Sequence, residues 1–385
     1  MKIIHYCQYI WGVGHFFRSL EICRALAGHD VLLVTGGPQI NASLPDHVRE
    51  VRLPGIMTDR NYTNLSTTEK SKSFDQVKRE RKKRLYDLFN KEAPDFFIVE
   101  LYPFGRKFFQ YELDPILKAI RSKSLGSTRV VCSLRDILVK KKDPEAFEKR
   151  VIDILNSYFD ALLVHADPDL VRIDETFSRV DDILIPVVYT GFVAPKPAPD
   201  ARERLRGLLG IGQDEFLVVA SAGGGKVGAT LLEPLVSAWR QIDLENSHHL
   251  HIFTGPFMSE AEFNHLQELA HKGVRVQRFT NDFLAYLKAA DLSVSMAGYN
   301  TCMNILATRI PALVWPSSQD REQGFRAERL SRLGVLKILN EGDLHPSRLA
   351  AIIGRALSPD PQPRVDIDLN GAINTAKWLE AWVES

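Results

Sequence analysis

Three glycine-led loops in this sequence carry residue types able to hold a phosphate and move a proton. The first, W-G-V-G-H from Trp11 to His15, follows an apolar run and precedes an amphipathic stretch. Glycines let the chain turn sharply there, and a helix beginning after them presents N–H groups that no earlier turn can satisfy. In an open α/β sheet such a loop lies at the carboxyl end of a strand, where ligands bind. His15 then stands at a helix start facing the crevice. Its imidazole suits general-base work near neutral pH, or contact with an acceptor or a donor phosphate; a satisfied loop histidine is the alternative.

The second loop, Val218 to Thr230, contains G-x-G-x-x-G at Gly223, Gly225 and Gly228. A dinucleotide fold would next need an acid roughly 20 residues on, at the end of the following strand. That strand ends Ile252-Phe253-Thr254-Gly255, with no acid, so NAD binding is not expected. No G-K-[ST] closes the loop, so it is not a P-loop either. What remains is a backbone able to approach phosphate or acceptor closely, with Lys226 beside it.

The third is the most informative. In S-M-A-G-Y-N-T-C-M-N-I-L-A-T-R-I-P-A-L-V-W-P, Ser295 to Pro316, a strand ends at Ala297-Gly298 and a helix opens around Tyr299–Thr301. The positive end of that helix suits a diphosphate. After the next strand, Gln319, Asp320, Glu322 and Gln323 cluster on a loop and early helix, where they can hydrogen-bond sugar hydroxyls. In the first half, Arg135 and Asp136 end a strand and also point at a crevice, as does Glu100 at the end of another. Asp136 is a second candidate base, with a structural Arg–Asp pairing equally open to it. Glu100 carries the same ambiguity.

These loops need strands to precede them and helices to follow, and the pattern supplies both. Apolar runs predict strands at Lys2–Cys7, Val31–Thr35, Phe96–Leu101, Arg129–Ser133 and Ala161–His165, with amphipathic stretches such as Phe17–Leu26 and Pro115–Lys123 between them. Pro195, Pro197 and Pro199 mark a semi-stiff linker within Gly191–Glu203. The alternation then restarts at Phe216–Ala220, Leu250–Thr254, Val274–Gln277, Leu292–Ser295, Pro311–Trp315 and Val335–Ile338. Strand–helix alternation implies parallel sheets covered on both faces. The division predicted is an N-terminal Rossmann-like acceptor domain at 1–193, a C-terminal nucleotide-sugar domain at 194–365, and a terminal helix at 366–385 that packs back on the first.

Composition narrows the function classes. A chain of 385 residues suits two domains, each with its own core. A formal net charge of +1 argues against a protein built to bind nucleic acid. Cys7, Cys23, Cys132 and Cys302 are far apart, with no C-x-x-C, so neither a disulfide framework nor a zinc site is expected. No apolar run reaches the roughly 18 residues that span a bilayer. His5, Gln8 and His15 interrupt the first apolar stretch, which therefore does not read as a signal peptide. The expectation is a cytoplasmic protein. The run K-R-E-R-K-K-R, Lys78 to Arg84, reads as a solvated helix face, or as a patch for peripheral contact with the inner face of a membrane or a lipid-linked acceptor.

The spacing of G-Y-N-T, P-A-L-V-W-P and R-E-Q-x-x-R-A resembles the C-terminal half of GT-B glycosyltransferases of the MurG type, whose C-terminal domain defines family 28. A bacterial predicted-glycosyltransferase family is more similar still, through E-L-Y-P-F-G-R (Glu100–Arg106), S-L-R-D-I (Ser133–Ile137), L-V-H-A-D-P (Leu163–Pro168), Y-T-G-F (Tyr189–Phe192) and A-G-G-G-K-V-G-A (Ala222–Ala229). The resemblance implies an α/β protein of the GT-B type, two Rossmann-like domains facing each other across a cleft. It implies inverting transfer of a hexosyl group from a nucleotide-diphosphate sugar, usually a UDP-sugar, without a metal or any cofactor. The acceptor stays open, with lipid-linked and polysaccharide acceptors among the options.

Carried over residue by residue, Gly12, Gly14 and His15 would sit on the acceptor side. Gly224 and Gly225 would meet the phosphates, and Phe279 and Thr280 would pack on the nucleobase. Gly298, Tyr299, Asn300 and Thr301 would hold the diphosphate, with Glu322 and Gln323 on the donor sugar. One position departs: Asn304 stands where the family has a glutamate that takes both ribose hydroxyls, and an amide loses that charged, two-pronged geometry. Two other classes remain open, a sugar-nucleotide epimerase or hydrolase of the same fold and a catalytically silent nucleotide-sugar binder.

Overall fold

The computed structural model describes residues 1–9, 13–37, 39–58, 65–69, 71–138, 141–225, 227–317, 321–358 and 365–384. The chain forms two compact units, Met1–Val193 together with Ile367–Ser385, and Ala194–Asp366.

The first unit is built on β1 (Lys2–Tyr6), β2 (Asp30–Thr35), β3 (Val48–Arg52), a small hairpin of β4 (Ile56–Thr58) and β5 (Leu65–Thr67), then β6 (Phe96–Glu100), β7 (Arg129–Arg135), β8 (Ala161–His165) and β9 (Val187–Tyr189). Its main sheet has the order β3-β2-β1-β6-β7-β8-β9 and every pairing in it is parallel. β6 and β8 are buried along their whole length, as strands covered by helices on both faces must be. The covering helices are α1 (Gly14–Ala25), α2 (Phe74–Glu92), α3 (Gln110–Arg121) and α4 (Pro144–Tyr158).

The second unit repeats the plan with β10 (Phe216–Ser221), β11 (His248–Phe253), β12 (Val274–Gln277), β13 (Leu292–Met296), β14 (Ala312–Trp315) and β15 (Lys337–Ile338), in the order β12-β11-β10-β13-β14-β15 and again parallel. Its helices are α5 (Ala201–Leu209), α6 (Ala229–Trp239), α7 (Glu260–Leu269), α8 (Phe283–Ala289), α9 (Tyr299–Thr308), α10 (Arg321–Arg332) and α11 (Pro346–Ala356). The closing helix, α12 (Gly371–Glu384), belongs to the first unit. There Leu379 is fully buried and Trp378 and Trp382 pack against the cluster containing Leu20 and Cys23 of α1. Phe192 N–H donates to Asp368 O at 2.7 Å and Gly371 N–H to Phe192 O at 2.9 Å, which seats the returning chain.

Besides the small β4–β5 hairpin, the sequence reading missed two strands of the main sheet, β3 and β9. The first is V-R-E-V-R, an edge strand too charged for an apolar run, and the second is only three residues long. The basic run also needs correction. Arg79, Lys82, Lys83 and Arg84 are exposed, but Arg81 is completely buried, because it shares the inward stripe Val77, Arg81, Leu85, Phe89 at a spacing of four. Its guanidinium grips the buried Glu112 through Nε to Oε2 at 2.9 Å and Nη2 to Oε1 at 2.6 Å. It also donates to Pro54 O and to Gln8 Oε1, each at 2.8 Å. Among the described residues no helix is long and apolar enough to cross a membrane, and the four cysteines are free and buried.

Candidate active site

In each sheet the strand order reverses at one point, between β1 and β6 in the first unit and between β10 and β13 in the second. Chains leaving those strands diverge to opposite faces, so a crevice opens at their carboxyl ends. The helices that follow β1, β10 and β13 start at Val13, Gly228 and Gly298, and none has a side-chain cap or an acid in its first turn. By contrast α2, α4 and α7 are capped by Ser73, Asp143 and Ser259. None of α1, α6 and α9 therefore carries an acid in its own first turn to offset its positive end.

At the first switch point His15, in the opening turn of α1, meets Glu100, the last residue of β6. Nδ1 of His15 lies 2.7 Å from Glu100 Oε1. Glu100 is 1% exposed, and Arg18 of α1 donates to the same oxygen. Arg106 Nε lies 3.7 Å from the other. Burial opposes ionisation of Glu100, yet His15, Arg18 and Arg106 together hold its carboxyl well below the usual carboxylate range. An ionised Glu100 can only accept, so Nδ1 of His15 carries the proton and the lone pair is on Nε2. Arg18 Nη2, 3.2 Å from the same nitrogen, then faces a second donor and makes no hydrogen bond to it. Burial, seconded by Arg106 and Arg18 and opposed by Glu100, lowers the His15 pKa to about 3. The imidazole is neutral at physiological pH, oriented by a carboxylate, and available as a base at Nε2.

Arg106 reaches this cluster through the loop after β6, in which Leu101 and Arg106 adopt φ of 67° and 56°. Left-handed backbone at non-glycine residues costs about 1–2 kcal/mol each, and here it folds a fully buried arginine back toward Glu100. Behind the cluster, His165 is bonded by both ring nitrogens, to Ser133 Oγ at 2.7 Å and Thr190 Oγ1 at 2.8 Å. Burial above all, with Arg18 and His5 adding to it, keeps its pKa down at about 3. Asp136, 1% exposed, is buried in the turn after β7, and Arg135 is half-buried beside it. The carboxylate on His15 is thus Glu100, a pairing that sequence spacing does not reveal. Gly14 opens α1, while Gly12 lies outside the described residues, as do Lys226, Gln319 and Asp320.

In the second unit the loop after β10 and the start of α9 share one end of the sheet. Gly225 has φ of 92°, and a Cβ there would sit 2.4 Å from Thr254 O, so this glycine is required by packing of two loops. Gly224 is more open, meeting only Phe257 at 3.7 Å, and its carbonyl accepts from Phe257 N–H at 3.0 Å. Gly298, the N-cap of α9, has open space where a side chain would be. Asn300 and Asn304 are half-buried on α9, whereas Tyr299 and Thr301 are buried. Tyr299 lies beneath the guanidinium of Arg326, 5.4 Å from its ring centre, and Arg326 donates to Ala297 O at 3.3 Å. Arg326, the arginine of R-E-Q-x-x-R-A, thus ties α10 to the start of α9. Glu322 is buried in the first turn of α10, and the neighbouring Gln323 accepts from Ser317 N–H at 3.3 Å. Phe279, 40% exposed, stands in the loop after β12, where Thr280 Oγ1 accepts from Asp282 N–H.

Comparison with known proteins matches residues 220–372 to the glycosyltransferase family 28 C-terminal domain. Two curated relatives are UDP-N-acetylglucosamine--N-acetylmuramyl-(pentapeptide) pyrophosphoryl-undecaprenol N-acetylglucosamine transferases. That of Prochlorococcus marinus is 28% identical over 28% of this chain and 31% of its own. That of Carboxydothermus hydrogenoformans is 30% identical over 40% and 41%. The chain therefore matches between about a third and two fifths of the length of these relatives. Among solved structures, MurG of Acinetobacter baumannii has a TM-score of 0.53 at 15% identity, covering 98% of this chain and 95% of that one. The UDP-GlcNAc 2-epimerase of Methanocaldococcus jannaschii has 0.61 at 11%, covering 99% and 100%. The chain thus has the GT-B architecture of two Rossmann-like domains, and most of its second unit matches the family 28 glycosyltransferase C-terminal domain.

Proposed function

We propose that this protein is an inverting glycosyltransferase that takes a sugar from a nucleoside-diphosphate donor, with UDP-sugars the first class to test. The observation that carries the reading is the family 28 domain, whose α9 begins at an open Gly298, uncapped and without acids, at the switch point of its sheet. Helix-start amides directed at a diphosphate stabilise the charge that develops as the sugar leaves, and they need no reorganisation to do so.

In the first unit, Nε2 of His15 takes the proton from an acceptor hydroxyl as its oxygen attacks the anomeric carbon. The bond from that carbon to the diphosphate oxygen breaks, and its electron pair leaves with the nucleotide. Glu100 fixes the Nδ1–H tautomer and stabilises the imidazolium as it forms, so it is a positioning residue. Glu322 and Gln323 are assigned to the donor sugar and Phe279 to the nucleobase. The acceptor is a sugar- or lipid-linked hydroxyl, since both named relatives glycosylate a pyrophosphoryl-undecaprenol substrate.

Calorimetric titration with UDP, GDP, dTDP and NAD in EDTA tests the donor half. One nucleoside diphosphate should bind without added metal. Binding of NAD alone, or of none of them, overturns the reading. Anomeric analysis of the transfer product tests inversion, and incubation with the donor alone distinguishes transfer from epimerisation.

A further inference from the structure

The start of α9 is held by an arginine where other helices of this chain have a cap. Gly298, its N-cap, has no side chain and open space beside it. Arg326 of α10 takes hold on both sides of that glycine. Its Nη1 donates to Ala297 O at 3.3 Å, and its guanidinium carbon lies 5.4 Å from the ring centre of Tyr299, the first residue of the helix. Arg326 and Tyr299 are 3% and 7% exposed, so this bracket is buried. At α2, α4 and α7 the capping side chains of Ser73, Asp143 and Ser259 accept from backbone N–H groups, and so use up donors that a ligand could take. A guanidinium only donates, so Arg326 fixes the entry to α9 without occupying any of its N–H groups. It also polarises the peptide between Ala297 and Gly298, because a bond to that carbonyl makes the N–H of the same peptide a stronger donor. Arg326 follows Glu322 by four residues, and both are buried on one face of α10.

We infer that Arg326, the arginine of R-E-Q-x-x-R-A, is a positioning residue of the donor site. Through Ala297 and Tyr299 it presets the α9 amides, so that they meet the charge that builds on the diphosphate as the sugar leaves. This rests on the donor reading proposed above. Amides fixed in advance need no reorganisation at the moment of reaction. An acid at this place would compete with the diphosphate for the same N–H groups, whereas a cation at a helix start favours an anion there. One face of α10 thus serves both ends of the scissile bond, Glu322 at the sugar and Arg326, through α9, at the leaving group.

Calorimetric titration of the full chain with UDP and uridine, and in the same way with GDP and guanosine and with dTDP and thymidine, tests the inference. Wild type should prefer one diphosphate to its nucleoside. Arg326→Gln should reduce that preference about tenfold, as loss of a charge-assisted bond does, and leave nucleoside affinity unchanged. Arg326→Lys keeps the charge and one donor but not the flat contact with Tyr299, so it should lie between the two. Circular dichroism checks both folds, and the lysine variant carries the test if the glutamine variant does not fold. An arginine with a purely structural part predicts equal losses on diphosphate and nucleoside. Equal losses, or an unchanged preference in the folded variant, overturn this inference alone. A wild type that prefers no diphosphate to its nucleoside overturns the donor reading and this inference with it.

Discussion

Replacing Glu100 by glutamine tests the proposed chemistry most directly, because it keeps the shape and removes the charge. In the native site the carboxylate faces His15 Nδ1 at 2.7 Å. When Nε2 takes a proton, the imidazolium and carboxylate become a contact pair with charge centres about 4 Å apart, worth about 4 kcal/mol at an effective dielectric near 20. A glutamine amide forfeits most of that, and its NH2 can also impose the wrong tautomer on the ring. At about 1.4 kcal/mol per tenfold, the rate should fall about 10³-fold. Donor affinity should not change, since no donor contact is assigned to Glu100. The assay is the initial rate of nucleoside-diphosphate release at saturating donor, with calorimetry for donor binding. Stability will also suffer, because Arg18 and Arg106 lose their shared carboxylate, and breaking a buried pair costs about 3–5 kcal/mol. Rates are therefore compared well below the melting temperature of the variant. Glu100→Asp, which keeps the charge at a longer reach, should fold better and lose less activity. A folded Glu100→Gln enzyme within threefold of the wild-type rate refutes the assignment of Glu100.

His15→Ala should lower turnover by about 10²–10⁴-fold with donor affinity nearly intact, and unchanged turnover removes His15 from the base role. Burial is the chief cause that holds His5, His165 and His251 near pKa values of about 4, 3 and 4, so each is neutral when folded and takes up a proton near pH 6.5 once unfolded. Stability should be complete above that pH and fall by about 1.4 kcal/mol per pH unit for each histidine between about 6.5 and 4. Urea midpoints that stay constant from pH 7.5 to 5 contradict this. Gly225→Ala should destabilise the second unit by more than about 1 kcal/mol, because its φ of 92° and the 2.4 Å approach to Thr254 O both exclude a Cβ; an unchanged melting curve shows that the two loops separate freely. Asn304→Glu should tighten binding of a ribonucleoside diphosphate by about 1–3 kcal/mol and leave a 2′-deoxyribonucleoside diphosphate less affected; equal effects on UDP and dTDP rule out a ribose contact at this position.

Much of the architecture is written locally. Apolar runs of four to seven residues separated by amphipathic stretches specify β/α alternation through side-chain period alone, and glycine-led turns mark strand ends. The expected strands at Ala161–His165 and Val274–Gln277 form with those bounds, and the helix read from Tyr299 begins there. Elements without such a pattern escape it: β3 alternates valine with charge at a sheet edge, and Arg81 is disguised by its basic neighbours until Val77, Leu85 and Phe89 turn it inward.

The candidate site is divided in the same way. Sequence picks out His15 and Glu100 as separate crevice residues, because each follows or ends a strand. That they touch depends on β1 lying beside β6 in parallel register, His5 opposite Ile98, which brings together residues 85 apart in the chain. Arg18 joins them from the next turn of α1, and Arg106 through a left-handed loop that no propensity favours. The charge balance around Glu100, and with it the neutral state of His15, is a property of that gathering, because dielectric and partner distance exist only once distant segments have packed together.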